Sequence, residues 1–126
     1  LAWEPEYIIL DEPTAGQDKY QRELLEEIIR QLVIQGRTVI IVSHDVEFVA
    51  ETGPEVYLMK DGEVKGHGPA KKILSDEDLI TGVGLILPQV TETFHRLGEY
   101  GLPRDVISPR EAVEEIFKIL GGKGDV

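Results

Sequence analysis

A chain of 126 residues, 41% hydrophobic and 29% charged, has the size of one domain and the composition of an ordinary globular protein. Asp and Glu number 24 against 13 Lys and Arg, and the resulting formal charge of −11 repels phosphate backbones and speaks against a nucleic-acid surface. The absence of cysteine removes disulfides, thiolate metal sites and cysteine nucleophiles, and no apolar run approaches the ~20 residues of a bilayer span, so a soluble chain is expected.

The run Tyr7-Ile8-Ile9-Leu10, closed by Asp11-Glu12-Pro13, has the pattern of a strand buried on both faces of a parallel sheet. A helix follows, for which Asp18 suits the N-cap and Gly36 the position after the C-cap. Between them Tyr20, Leu24, Ile28 and Leu32 recur four apart, and Leu25 and Ile29 widen the stripe. Residues 38–42 form a second buried strand rich in β-branched side chains. Strand, helix and strand in this order predict a right-handed βαβ unit with parallel strands.

Beyond it the punctuation predicts a short helix at 45–51, a strand at 56–60, a hairpin turn at Asp61-Gly62 and a returning strand at 63–65. The remainder reads as helical. One turn spans 69–74, a further segment starts at Ser75, and Pro88 opens a helix with Val90, Phe94 and Leu97 on one face. The clearest start is the last: Ser108 caps, Pro109 fits the first turn and Glu111 completes a capping box. Val113, Ile116, Phe117 and Leu120 then form the expected buried stripe, which Gly121 ends. A shift in composition near Gly68 divides the chain into an α/β part, 1–68, and a helical extension, 69–126. The sequence begins at Leu1 and its only methionine is Met59, so a piece of a longer chain is expected.

An apolar strand ending in two acids fixes carboxylates at the C-terminal edge of a sheet, where α/β proteins bind ligands. Asp11 there suits Mg²⁺, which takes few carboxylates and keeps its waters, and Glu12 suits the orientation or deprotonation of an attacking water. Taken alone, the pattern more often marks a buried strand closed by solvated acids. Ser43-His44-Asp45 after the second strand places an imidazole at the same edge, although a lone histidine there is more often a satisfied turn residue.

The stretches Ile8-Ile9-Leu10-Asp11-Glu12-Pro13-Thr14, Ala15-Gly16-Gln17-Asp18 and Ile41-Val42-Ser43-His44-Asp45, in that order around one amphipathic helix, resemble the ATPase subunit of an ABC transporter. In that family they are the Walker B motif, the D-loop and the H-switch. The resemblance implies ATP as substrate, Asp11 as the Mg²⁺ ligand, Glu12 as catalytic base and His44 as the γ-phosphate histidine. It places Gln17 and Asp18 in the nucleotide-binding set, with Asp18 meeting a partner subunit. Gln17 stands where the D-loop usually has leucine, and Lys19 where proline is frequent, which bears on contact across a dimer. The implied fold is the C-terminal part of a P-loop NTPase, a parallel sheet with flanking helices, followed by the helical extension.

No G-x-x-x-x-G-K-[ST] occurs, so the backbone nest and lysine for the β- and γ-phosphates are missing. Gly121-Gly122-Lys123-Gly124-Asp125 imitates one only superficially, because it follows a predicted helix and lacks the Ser or Thr. A signature motif of the LSGGQ type is also absent. The 126 residues alone are therefore expected to be inactive, with the complete protein an ATPase. The family's strand order puts the phosphate-loop strand between the strands at 38–42 and 56–60. His67, in an expected exposed turn, and His95, on a helix without a second ligand, are read as ordinary polar residues.

From Leu87-Pro88-Gln89-Val90 to Leu120 the chain resembles the C-terminal extension of energy-coupling-factor ATPases, which power uptake of vitamins and of cobalt or nickel ions. That resemblance implies a second ATPase subunit, identical or not, transmembrane transporter components, and a cytoplasmic place on the inner face of the membrane. Two alternatives are a non-transport ABC ATPase and an inactive fragment retaining only an association role. No direct nucleic-acid partner is expected.

Overall fold

β1 (Tyr7–Asp11) and β2 (Thr38–Val42) pair in parallel, with Tyr7 opposite Thr38 and Asp11 opposite Val42, as their β-branched and apolar composition predicts. The computed structural model describes residues 6–121, so the phosphate-loop imitation noted at 121–125 lies, but for Gly121, outside the described residues. By compactness the chain divides into two units, one ending at Gly53 and the other beginning at Pro54.

In the first unit the strands are joined by α1 (Lys19–Ile34) and followed by α2 (Val46–Thr52). Asp18 and Gln21 form a reciprocal capping box at the start of α1. At its end the Gly36 N–H donates to the Val33 carbonyl and the Arg37 N–H to the Leu32 carbonyl, a Schellman closure that requires the positive φ of Gly36.

The unit covers only one side of its sheet. Ile8, Leu10, Val39 and Ile41 are half-buried, whereas Tyr7, Ile9, Ile40 and Val42 are exposed, Ile9 to 68%. The expectation of burial on both faces therefore fails, because side chains alternate across a strand and only one face meets packed neighbours. The stripe of α1 is corrected in the same way. Tyr20, Leu24 and Ile28 stand exposed, while Ile29 is buried and Leu25 and Leu32 half-buried. A helix turns ~100° per residue, so these two sets form adjacent flanks and only one of them packs.

The second unit opens with the antiparallel hairpin β3 (Glu55–Lys60) and β4 (Glu63–Pro69). Asp61 and Gly62 both take positive φ, the primed turn that the Asp-Gly pair signals. β4 runs four residues past the expected end and carries His67, which stacks on Tyr57 at 4.0 Å and lies 3.1 Å from Glu55; it is not in a turn. Among the described residues β1–β2 and β3–β4 are separate two-stranded sheets.

α3 (Ala70–Leu74), α4 (Glu77–Gly82), α5 (Gln89–Arg96), a 3₁₀ turn at Gly98–Tyr100 and α6 (Pro109–Gly121) complete the unit. α4 starts from Asp76, whose carboxylate accepts from the Leu79 N–H, and not from Ser75. Gly66 permits a close approach, since a Cβ there would sit 2.7 Å from a methyl of Leu79. Phe94, Val106 and Ala112 form a core to which Val90 and Leu102 add, and the buried Thr91 hydroxyl donates to the Val106 carbonyl. At α6 the Glu111 N–H donates to Ser108 Oγ, as the capping signal predicts. Its stripe is not buried, however: Val113, Ile116, Phe117 and Leu120 are exposed, Phe117 to 53%, because within this unit α6 buries only Ala112.

Glu26 on α1 has its carboxyl pushed above the usual range, first by burial and then by the nearby Glu51 carboxylate. A raised folded-state pKa means that ionisation opposes folding above that pKa and that the penalty vanishes once the group is protonated in both states. Glu26→Gln is expected to raise the thermal midpoint at pH 7, with the gain fading as pH falls towards ~4. Calorimetry across that range checks this, and a gain independent of pH contradicts it.

Candidate active site

The parallel ladder does not stop at Asp11. The Glu12 N–H donates to the Val42 carbonyl at 2.7 Å, bringing the loops after β1 and β2 side by side at one sheet edge. Glu12 sits there at φ +45, a left-handed conformation that costs a non-glycine residue about 1–3 kcal/mol. The turn beyond it is closed by two backbone bonds, Ala15 N–H to the Glu12 carbonyl and Gln17 N–H to the Thr14 carbonyl.

Three donors of the β2 loop converge on the Glu12 carboxylate. Oε1 accepts from the His44 backbone N–H at 3.0 Å and lies 2.5 Å from His44 Nδ1, and Oε2 accepts from the Ser43 hydroxyl at 3.3 Å. An ionised carboxylate only accepts, so the hydrogen of this ring contact sits on Nδ1. Ser43 Oγ in turn accepts from the Asp45 N–H at 2.9 Å, which leaves its own hydrogen for Glu12. His44 stands at the same sheet edge as Glu12, as expected, and touches it directly.

Asp45 is a second junction. Its Oδ1 caps α2 by accepting from the Phe48 N–H at 3.1 Å. Its Oδ2 accepts from Thr14 Oγ1 and from Arg22 Nη1, each at 3.1 Å. Among the described residues of this unit Thr14 is the only buried polar one, 9% exposed, and Arg22 also lies over the Phe48 ring. Sequence reasoning assigned no role to Thr14, Arg22, Ser43 or Asp45. The available signal was Asp45 three residues before Phe48, an N-cap spacing at the end of the histidine loop.

Asp11 ends β1 with an exposed carboxylate that has no hydrogen-bond or ion-pair partner among the described residues. One free carboxylate at a sheet edge fits Mg²⁺, which binds through one or two carboxylates and retained waters. Among the described residues no three His, Asp or Glu side chains gather as a cage for a metal ion. Asp18 is engaged as the α1 cap, and Gln17 buries an Oε1 that finds no partner among the described residues. No hydrogen bond among the described residues links either of them to Glu12 or His44.

The sequence of an energy-coupling factor transporter ATP-binding protein, EcfA, from Methanothermobacter thermautotrophicus is 35% identical over 123 residues, 97% of this chain and 40% of that protein. The chain is a homologue of ABC transporter ATP-binding proteins. EcfA1 of Caldanaerobacter subterraneus is 37% identical over 121 residues, covering 94% of this chain and 43% of that protein. Among solved structures, cbiO1 from Clostridium perfringens, part of the ABC transporter complex cbiONQ, matches 77% of this chain and 36% of its own. That match has a TM-score of 0.55 at 30% identity. An ATP-binding cassette of an ABC transporter matches 61% of this chain and 32% of its own at 26% identity, also with a TM-score of 0.55. No family model matches. The α/β architecture is accordingly that of an ABC ATPase, a P-loop NTPase fold, and the chain spans 40% and 43% of the length of the two curated relatives.

The cap geometry makes Asp18 separable from this site. Asp18→Ala is expected to lower stability by about 1 kcal/mol, with Asp18→Asn close to wild type. Chemical denaturation measures both, and an Ala variant of undiminished stability contradicts the capping role.

Proposed function

We propose that this chain supplies the water-activating part of the ATP-hydrolysis site of an ABC-type uptake transporter, of the energy-coupling factor kind that takes up a metal ion or vitamin. The observation that carries the reading is Glu12, whose carboxylate is gripped by Ser43 and His44 at the shared edge of two parallel strands. A carboxylate held in one place is what a general base for water requires. Its neighbour Asp11 would hold Mg²⁺, which neutralises charge on the phosphates when bound. His44, next to the base and open to solvent, serves as the γ-phosphate contact. Gln17 and Asp18 belong to the loop that meets a second ATPase subunit.

In this reading residues 1–68 form the catalytic-core part and 69–126 the extension. The open Ile116, Phe117 and Leu120 surface of α6 suits association with a second ATPase subunit, and transmembrane components complete the transporter. No helix among the described residues is long and apolar enough to cross a membrane. In this reading the chain takes a peripheral place on the cytoplasmic face.

In a polypeptide carrying this chain together with a phosphate-binding loop, Glu12→Gln should keep Mg-ATP binding while hydrolysis falls roughly 10²–10⁴-fold. Asp11→Asn should weaken Mg²⁺-dependent binding instead. Phosphate-release rates and nucleotide affinities decide it, and normal turnover by Glu12→Gln ends the assignment. In the same polypeptide Phe117→Ala should weaken nucleotide-free self-association by about 2 kcal/mol and leave Mg-ATP affinity unchanged. Sedimentation without nucleotide measures this, and equal association of both proteins counts against α6.

A further inference from the structure

We infer that Asp45, anchored by Arg22, is a positioning residue for Glu12 and acts through the Thr14 hydroxyl and the Ser43 loop. The inference rests on the reading of Glu12 as the base.

Glu12 is held from two sides. On one, Ser43 and His44 grip its carboxylate. On the other, Thr14, two residues on, donates its hydroxyl to Asp45 Oδ2 and pins the turn that leaves Glu12. Both holds run through one residue, because the Asp45 N–H fixes Ser43 Oγ while the Asp45 carboxylate receives Thr14. Asp45 is itself fixed twice, by capping α2 and by the Arg22 guanidinium in the first turns of α1. The loops after β1 and β2 are therefore cross-tied at Glu12 and again at Thr14, with a helix start bracing each end.

The physical demand for such a brace is the backbone of Glu12. A non-glycine residue at φ +45 stays there only if its surroundings over-determine it. Without the Thr14–Asp45 bond, the turn after Glu12 keeps only the bonds at Ala15 and Gln17, and the carboxylate relaxes towards ordinary backbone angles. The hydroxyl of the buried Thr14, left unmatched, would also favour that rearrangement. Asp45 donates no group to a reacting atom, so its removal should misplace the base and leave nucleotide binding intact. Misplacement of ~1 Å by a change away from the chemistry is worth about a hundredfold in rate.

The test compares steady-state ATP hydrolysis in a polypeptide that carries this chain with a phosphate-binding loop. Asp45→Asn retains the α2 cap, since Asn caps as well as Asp, but loses the charge that holds Arg22. Thr14→Val keeps the branched shape and removes the hydroxyl, while Thr14→Ser keeps the hydroxyl. Asp45→Asn and Thr14→Val should lower kcat roughly ten- to a hundredfold with KM for Mg-ATP within about twofold, and Thr14→Ser should restore kcat. Should Asp45→Asn fail to fold, the Thr14 pair decides. Normal kcat in Thr14→Val, or Thr14→Ser as slow as Thr14→Val, overturns the positioning role while Glu12→Gln remains inactive. An active Glu12→Gln overturns instead the reading of Glu12 as base, and the positioning role with it.

Discussion

The bond from the Glu12 N–H to the Val42 carbonyl governs this half of the molecule. Parallel strands are joined by a crossover and not by a tight turn, so the two loops that follow them meet only if the ladder stays in register to its last rung. One further rung beyond Asp11 turns Glu12 into the left-handed region and sets its side chain against the residues after Val42. A slip of one residue would send every side chain to the opposite face and separate Glu12 from Ser43 and His44. The geometry around Glu12 thus descends from strand register, and strand register from the apolar pattern of two five-residue segments.

The same unit places its acids with economy of position. Asp18 and Asp45 each begin a helix, and both accept backbone N–H groups that helix starts leave unmatched. Part of the chain's acid excess is therefore structural. Glu12 differs from them in receiving its donors from a neighbouring loop, which leaves it dependent on that loop's conformation.

The βαβ order, the caps at Asp18, Gly36 and Ser108, and the Asp61-Gly62 turn were legible in the sequence, because each is a local pattern enforced by local backbone chemistry. The Glu12–His44 meeting was legible too, since parallel strands bring their C-terminal ends to one edge. Burial was not. Periodicity marks a face as apolar without saying whether anything covers it, so Ile9 and Leu24 were expected inside and stand exposed. The Arg22–Asp45–Thr14 junction was also invisible, as it joins three residues that no spacing rule relates.

The proton on His44 connects the observed geometry to the proposed role. A neutral imidazole carries one N–H, and the contact with Glu12 places it on Nδ1. Nε2 is then an acceptor, which gives a phosphate oxygen nothing to bind. For His44 to serve as the proposed γ-phosphate contact, the ring must turn its N–H away from Glu12 towards the phosphate. Release would free the carboxylate for water only when phosphate is present to attract the ring. In the proposed role, occupancy of a phosphate site would be felt at Glu12 through a single ring, while the Ser43 hydroxyl and the His44 backbone N–H keep the carboxylate in place.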